Sequence, residues 1–490
     1  MRTPVRGLVP ILAVDRRSPV PLGQQVYEAY RGAIIEQRIR AGQPLPSSRT
    51  LAAELRVSRI VVVTAFEQLV AEGYVETSRG SGTFATRRLP EEALSTRAGQ
   101  PLPEAKSGAR RVARRPTLEG TSPEPWTQGT GPFRMSQPAL EQFPFRVWAS
   151  LCARYARNPT RSLLAYGDAL GHRPLREALA HSLRISRGVR CEPEHIMVVS
   201  GSQQGLDLCA RVLLEPGAPV WMEEPGYAGA RNAFRLAGAR LVPVPVDAEG
   251  LDVASGEARC PRARAVYVTP SHQFPLGMTL SAARRMQLLA WARRSGAWII
   301  EDDYDSEYRY ESLPIAALQG LDRAQRVIYL GTLSKVLFPS LRLGYLVLPP
   351  DLVEPFRQVR DTMDIFPASV PQAVLADFIT EGHYARHLRR MRVLYRERRT
   401  ALVTALKAEL GPDCEILGDQ AGMHLVVALP GVKRDRDVAV RAGALGLRAM
   451  PLSETWLGRA RRQGLVLGYG GVPARQAREA VRVLARALTS

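Results

Sequence analysis

Five short runs between positions 196 and 330 are apolar almost from end to end: IMVVS at 196–200, PVWME at 219–223, AVYVT at 265–269, AWIIE at 297–301 and RVIYL at 326–330. A run of that length without polar alternation suits a strand covered on both faces, and such strands belong to parallel sheets packed between helices. Helical segments such as LSAARRMQLLAWARRSG lie between them. The pattern predicts a doubly wound α/β domain whose reactive groups collect at strand ends. Residues 131–490 are long enough for one large domain of this kind with a smaller C-terminal lobe.

Length and charge frame the rest. The chain has 490 residues, which corresponds to roughly two to four domains. Its 45% hydrophobic content supplies a sizeable core and excludes global disorder. No apolar run approaches the roughly 20 residues that cross a bilayer, and no signal peptide is legible, so a cytoplasmic protein with no membrane contact is expected. Cys152, Cys191, Cys209, Cys260 and Cys414 are scattered without metal-ligand spacing, which argues against a disulfide scaffold or a metal site. The net charge of +20 favours contact with a polyanion without saying which.

Residues 15–87 read as a separate module. Val26, Tyr30, Ile34 and Ile35 recur at helical spacing before Gly42. PLPSS at 44–48 resets the chain, with Ser47 or Ser48 able to cap a short helix through LAAEL. A further helix starts at Ser58, and YVETSRGSGTFAT at 74–86 alternates around a Gly-rich turn as a small hairpin does. Residues 88–130 are rich in Pro, Gly, Arg and Ser and are expected to form a flexible linker, whose ARRVARR stretch is basic enough to meet phosphates.

Three helices and a wing make a winged helix-turn-helix. The pattern PLPSSRTLAAEL, SR, AFEQLVAEGYV and RGSGTF resembles the GntR-type winged-helix family. The resemblance implies double-stranded DNA as a partner, with Arg49, Ser58, Arg59 and Thr64 as contacts and Arg79 and Gly82 at the wing. Ile60 and Val61 stand where the family often carries a polar pair; in a groove they can touch a thymine methyl but form no side-chain hydrogen bond.

The chemistry concentrates in EDDYDSEYRY at 301–310 and GTLSKVLFPSLRLGY at 331–345. Asp302 directly follows an apolar strand, and Lys335 is the only lysine between positions 107 and 406. A lysine near a buried acid and an arginine suits an aldehyde cofactor held as a Schiff base, with the acid on a ring nitrogen and the arginine on a phosphate. Asp303, Asp305 and Glu307 read as solvated surface groups.

These segments resemble fold-type I pyridoxal-phosphate enzymes, and the fusion resembles the MocR-type branch of GntR regulators. The resemblance implies pyridoxal 5′-phosphate as cofactor, with Lys335 as its Schiff-base lysine, Asp302 on the pyridine nitrogen and Tyr304 on the phenolic oxygen. Arg342, Thr332, Ser202 and Gln203 are then phosphate ligands, and Tyr227 stacks on the ring. His272 and Gln273 of TPSHQFPLG line the ring where aminotransferases often carry Asn-Pro-Thr-Gly, and Tyr166 arrives from the partner subunit of a homodimer. Aminotransferases of this type commonly place a substrate-carboxylate arginine in the last strand. Here Val466 occupies that place, and Arg448, Arg461 and Arg462 are alternatives without a decisive register.

Two functions follow. One is a transcription regulator sensing pyridoxal phosphate, an amine or an amino acid, with vitamin B6 or amine metabolism genes as targets and any aminotransferase half-reaction residual. The other is a standalone aminotransferase with an accessory DNA-binding domain. The segment 384–399 reads as a solvated helix with an apolar stripe of Leu388, Met391 and Leu394.

Overall fold

The structure, a computed structural model, describes residues 14–78, 82–90, 116–120, 123–310, 315–412 and 414–489. The chain divides into two units, one ending at Ala113 and the other starting at Arg114.

The N-terminal unit contains α1 (Leu22–Ile35), α2 (Ser48–Glu54) and α3 (Arg59–Ala71), followed by β1 (Val75–Ser78) and β2 (Gly82–Ala85). Ser47 caps α2, its side chain accepting from the Thr50 amide. Ser58 precedes α3 as its cap residue. The two strands pair antiparallel with Ser78 opposite Gly82, which completes the expected wing. Val26, Tyr30 and Ile34 of α1 are buried against Val62, Ala65, Phe66 and Leu69 of α3, and the Tyr30 and Phe66 rings meet edge to face at 5.3 Å.

The second unit is built on an eight-stranded sheet. Its strands are β3 (Ile196–Val199), β4 (Pro219–Glu224), β5 (Arg240–Asp247), β6 (Gly250–Leu251), β7 (Ala265–Val268), β8 (Trp298–Asp303), β9 (Val327–Thr332) and β10 (Gly344–Val347). They run in the order β3-β10-β9-β8-β7-β4-β5-β6. All five expected strands are present, and β5, β7, β8 and β9 join β4 in one parallel run. The sheet is mixed because β10 inserts antiparallel between β3 and β9. The strand β5 was not among the five expected, and it carries Pro243 and Pro245. Only Val246 and Asp247 of β5 pair with β6, so the prolines lie where no amide is needed on that side.

Helices cover the sheet. Among them, α4 (Arg173–Arg187) and α5 (Ser202–Leu213) flank β3, while α6 (Ala282–Ser295) precedes β8. The predicted helix at 280–296 is thus present, capped by Ser281 and ended by Gly296 in the left-handed conformation. The smaller lobe has an antiparallel sheet of β11 (Ile416–Leu417), β12 (His424–Ala428), β13 (Met450–Pro451) and β14 (Gly464–Gly468), in the order β11-β12-β14-β13.

Two expectations change. The segment 384–399 belongs to α7 (His383–Leu410), and its stripe is interior: Met391 and Tyr395 are buried in the smaller lobe's core together with Leu402 and Leu406. Residues 116–120 and 123–130, expected as linker, are seated on the second unit. Trp126 enters the same core, and Glu119 pairs with both Arg231 and Arg235. The ARRVARR stretch lies outside the described residues.

Truncating Phe66 to alanine is expected to cost the N-terminal unit about 3–5 kcal/mol. Calorimetry of the full chain checks this as a lowered transition for that unit, with the remaining heat absorption in place.

Candidate functional site

The acidic segment after β8 is the centre of the site, and it is not solvated. Asp302, Asp303 and Asp305 are buried, and Glu307 is partly buried, which corrects the surface reading of the last three. Each acid has its own environment. Asp303 accepts from Arg187 at the end of α4 at 2.8 Å and from the Tyr329 hydroxyl at 2.5 Å. Asp305 lies 3.1 Å from His272 Nδ1. Glu301 accepts the backbone amides of Leu318 and Gln319, each at 2.8 Å.

Asp302 accepts from the Tyr267 hydroxyl at 2.7 Å through Oδ2, while its buried Oδ1 has no partner. Burial pushes its carboxyl up to about 7 against the lowering effect of Tyr267. The Lys335 amine is moved the other way: desolvation brings it down to about 8, although Asp302 and Asp305 oppose the shift. The shared electrostatics place the acid and the amine in one poorly hydrated site.

His272 is buried and bridges two groups, with Nδ1 also 3.1 Å from the Tyr304 hydroxyl and Nε2 3.2 Å from the Gly418 carbonyl. Burial alone lowers its affinity for a proton, but Asp305 reverses this and the net shift is upward. His424 lies beside it with ring centres 4.9 Å apart, and burial lowers its imidazole to about 4. Its ring also stacks with Tyr304 at 6.4 Å. Gln273 is buried and donates to the carbonyls of Pro225 and Phe274. Tyr227 is partly buried, edge to face with Phe274 at 5.8 Å.

Three of the expected phosphate ligands, Ser202, Thr332 and Arg342, gather where β3 and β9 end. Gly201, at φ +84°, precedes the N-terminus of α5, and a Cβ there would approach the Arg342 guanidinium at 3.0 Å. The positive φ there favours glycine, whose missing Cβ leaves room for that arginine at the helix entry, and Arg342 donates to the Ser200 carbonyl at 2.6 Å. Ser202 opens α5, and Thr332 closes β9. Gln203 is exposed and donates to the Gly229 carbonyl instead of pointing to a shared centre. Tyr166 is apart from the cluster, 83% exposed and packed on Phe366.

Several members were missed. Tyr267 is hidden in an apolar strand. His424 has no motif around it. Ser334, whose buried Oγ has no partner, was legible only as a second hydroxyl beside Thr332 in GTLSK. Val466, in the place of the last-strand arginine, is buried in β14; of the three candidate arginines, Arg448 donates to the carbonyls of Gln128 and Leu447, Arg462 pairs with Glu415, and Arg461 is exposed.

On the N-terminal unit Arg49, Ser58, Arg59 and Thr64 are all exposed on α2, α3 and the turn between them. Ile60, 68% exposed, stands among them as an apolar element of the same surface. Arg59 Nε donates to Ser48 Oγ at 3.4 Å. Gly82 is exposed at the wing with φ +115°, whereas Arg79 lies outside the described residues.

Comparison with known proteins agrees with both units. Residues 22–85 match the bacterial regulatory proteins of the gntR family, and residues 135–454 match aminotransferase class I and II. The chain is 41% identical over 479 residues to a probable rhizopine catabolism regulatory protein, MocR, of Rhizobium meliloti, covering 97% of this chain and 95% of that protein. It is 34% identical to the pyridoxine biosynthesis transcriptional regulator PdxR of Corynebacterium glutamicum, covering 94% of each. The fold is similar to that of LysN, the α-aminoadipate aminotransferase of Thermus thermophilus, solved with N-(5′-phosphopyridoxyl)-L-leucine. The TM-score is 0.67 and the identity 32%, over 73% of this chain and 91% of that one. The chain therefore belongs to the MocR-type branch of the GntR transcription regulators, in which a DNA-binding winged helix-turn-helix is joined to a fold-type I, aminotransferase-like domain for pyridoxal 5′-phosphate.

Proposed function

We propose that this regulator senses pyridoxal phosphate, or an amine or amino acid that reacts with it, at Lys335, and that the outcome alters how a homodimer's paired winged helices engage DNA. The observation that carries this reading is the buried Asp302 carboxylate, with one oxygen unpartnered, beside an amine held near neutrality. That donor set fits the cofactor: an acid that lacks a hydrogen-bond donor suits a protonated ring nitrogen, and the unpartnered Ser334 hydroxyl with Thr332, Ser202 and Arg342 suits a phosphate. When bound, pyridoxal phosphate supplies an electrophilic aldehyde and an electron-withdrawing ring.

The chain's own residues prepare that chemistry. Burial brings the Lys335 amine down to about 8, which leaves about a tenth of it uncharged at pH 7 and available as a nucleophile. Asp302 holds a proton at the ring-nitrogen position, with Tyr267 fixing its other oxygen. His272 orients the Tyr304 hydroxyl, and Asp305 in turn orients His272. Arg342 and the amides opening α5 hold the phosphate end. Tyr166, exposed on its own chain, is supplied to the partner subunit's site, which makes the homodimer the sensing unit. A cytoplasmic location suits these roles. The buried Val466 in place of a last-strand arginine leaves productive amino-acid turnover without its usual anchor. Candidate target genes are those of vitamin B6 or amine metabolism.

The test is a visible absorption titration with pyridoxal phosphate. Wild type develops a bound-cofactor band and Lys335→Ala does not; an equal band in Lys335→Ala would overturn the site. The rate at which that band forms is expected to rise with pH through a midpoint of about 8. The sign follows from the unprotonated amine being the reactive form, so lowering its pKa moves the rise to lower pH. On the DNA side, Arg49→Ala is expected to weaken binding to all sequences alike and to reduce the slope of log affinity against log salt by about 1. Filter binding or anisotropy across a salt series reads this.

A further inference from the structure

Glu307 is the member of the acidic segment whose carboxyl makes no ion pair with the residues just described, although Arg187 acts on it from a distance. Its Oε2 is buried without a hydrogen-bond partner, and so is the Oγ of Ser306, a residue only 7% exposed. Both line a cavity of about 1190 Å³ enclosed by α4, the 306–309 turn and the start of α7. Lys335 and the residues assigned to the cofactor do not line it. Arg187, which lines this cavity, pairs with Asp303 and donates to Ser271, the residue before His272.

The chemistry of the cavity is three-sided. Ser306 and Glu307 contribute to its lining, with the partnerless Ser306 Oγ and Glu307 Oε2 lying just beneath that surface. Leu183, Ile185, Tyr384 and Leu388 supply an apolar wall, and Arg389 and Arg392 supply positive charge. Arg392 Nε donates to the Glu307 carbonyl at 2.6 Å, so a guanidinium and the acidic residue are neighbours. An ammonium beside a carboxylate, on a molecule with an apolar side chain, matches that arrangement. Burial and the nearby Asp303 push the Glu307 carboxyl up to about 7, against the lowering effect of Arg187.

We propose that this cavity is a second ligand site, distinct from Lys335, for a free α-amino acid with an apolar side chain. Its ammonium is held by Glu307 and Ser306 and its carboxylate by Arg392 and Arg389. The occupant bears on the cofactor site because Ser306 and Glu307 continue the segment that leaves β8 through Asp302, Tyr304 and Asp305. An amino acid can thus be sensed without reacting at Lys335, and without an arginine in the last strand.

Calorimetric titration of the full-length chain with L-leucine, L-phenylalanine and L-tryptophan tests this, with 3-phenylpropionate and phenethylamine as probes lacking one charge. At least one of the amino acids is expected to bind wild type and Lys335→Ala with similar affinity, and the single-charge probes to bind more weakly. Glu307→Gln is expected to lose roughly tenfold or more, the scale set by removing one partner of a charge-assisted bond. Ile185→Trp obstructs the cavity from an exposed helix position and is expected to give the same loss should Glu307→Gln fold poorly. Both variants retain the pyridoxal-phosphate band, which separates failure here from failure of the cofactor reading. Absence of heat with all three amino acids, or binding lost in Lys335→Ala yet unchanged in Glu307→Gln and Ile185→Trp, overturns the proposal.

Discussion

The structure depends on carrying five carboxyl groups, those of Glu301, Asp302, Asp303, Asp305 and Glu307, into a poorly hydrated region within seven residues. Charges so close repel one another, and each carries a desolvation cost. The fold resolves the conflict by giving neighbouring acids different partners. Backbone amides take Glu301, Tyr267 takes one oxygen of Asp302, Arg187 and Tyr329 take Asp303, and His272 takes Asp305. Four of these partners come from separate parts of the sequence, so the segment binds α4, β7, β9 and the 269–277 loop into one arrangement. Asp302, Asp303, Asp305 and Glu307 each keep one oxygen without a partner, so the segment has capacity to receive something from outside.

Much of this was legible in the sequence, and the parts that were not share a physical reason. Asp302, Thr332, Lys335 and Arg342 declare themselves because they sit at strand ends or in short turns, where local spacing fixes position. The apolar strands β3, β4, β7, β8 and β9 were readable because burial on both faces leaves little room for polar residues. Tyr267 and His424 were not readable, because their roles depend on which strands become neighbours. Asp303, Asp305 and Glu307 were misread for the same cause: an acid looks solvated until a distant Arg187 or His272 arrives beside it. Likewise, the arginine-rich stretch of α7 looked like a surface helix because its charges outnumber the stripe that packs.

A sensor must convert occupancy into a shift between arrangements, and a ligand shifts an equilibrium only by its differential affinity for the two states. The segment from β8 through Glu307 is suited to register such a difference. Neutralising or engaging one acid changes the field at its neighbours, and those neighbours hold groups on several elements. The winged helix requires only modest contact strength for regulation, since coupling of about 1–3 kcal/mol changes DNA affinity by roughly five- to 150-fold. Ile60 is exposed at the start of α3; an apolar side chain in a groove can touch a thymine methyl but forms no side-chain hydrogen bond.

The most direct test of sensing at Lys335 is the affinity of the full-length protein for the region upstream of its own gene, measured with and without pyridoxal phosphate in wild type and in Lys335→Ala. Cofactor is expected to change the affinity of wild type severalfold, in either direction, and to leave that of Lys335→Ala unchanged. A wild-type affinity that is indifferent to cofactor and to added amines, in a protein whose absorption band shows the site to be loaded, would contradict it.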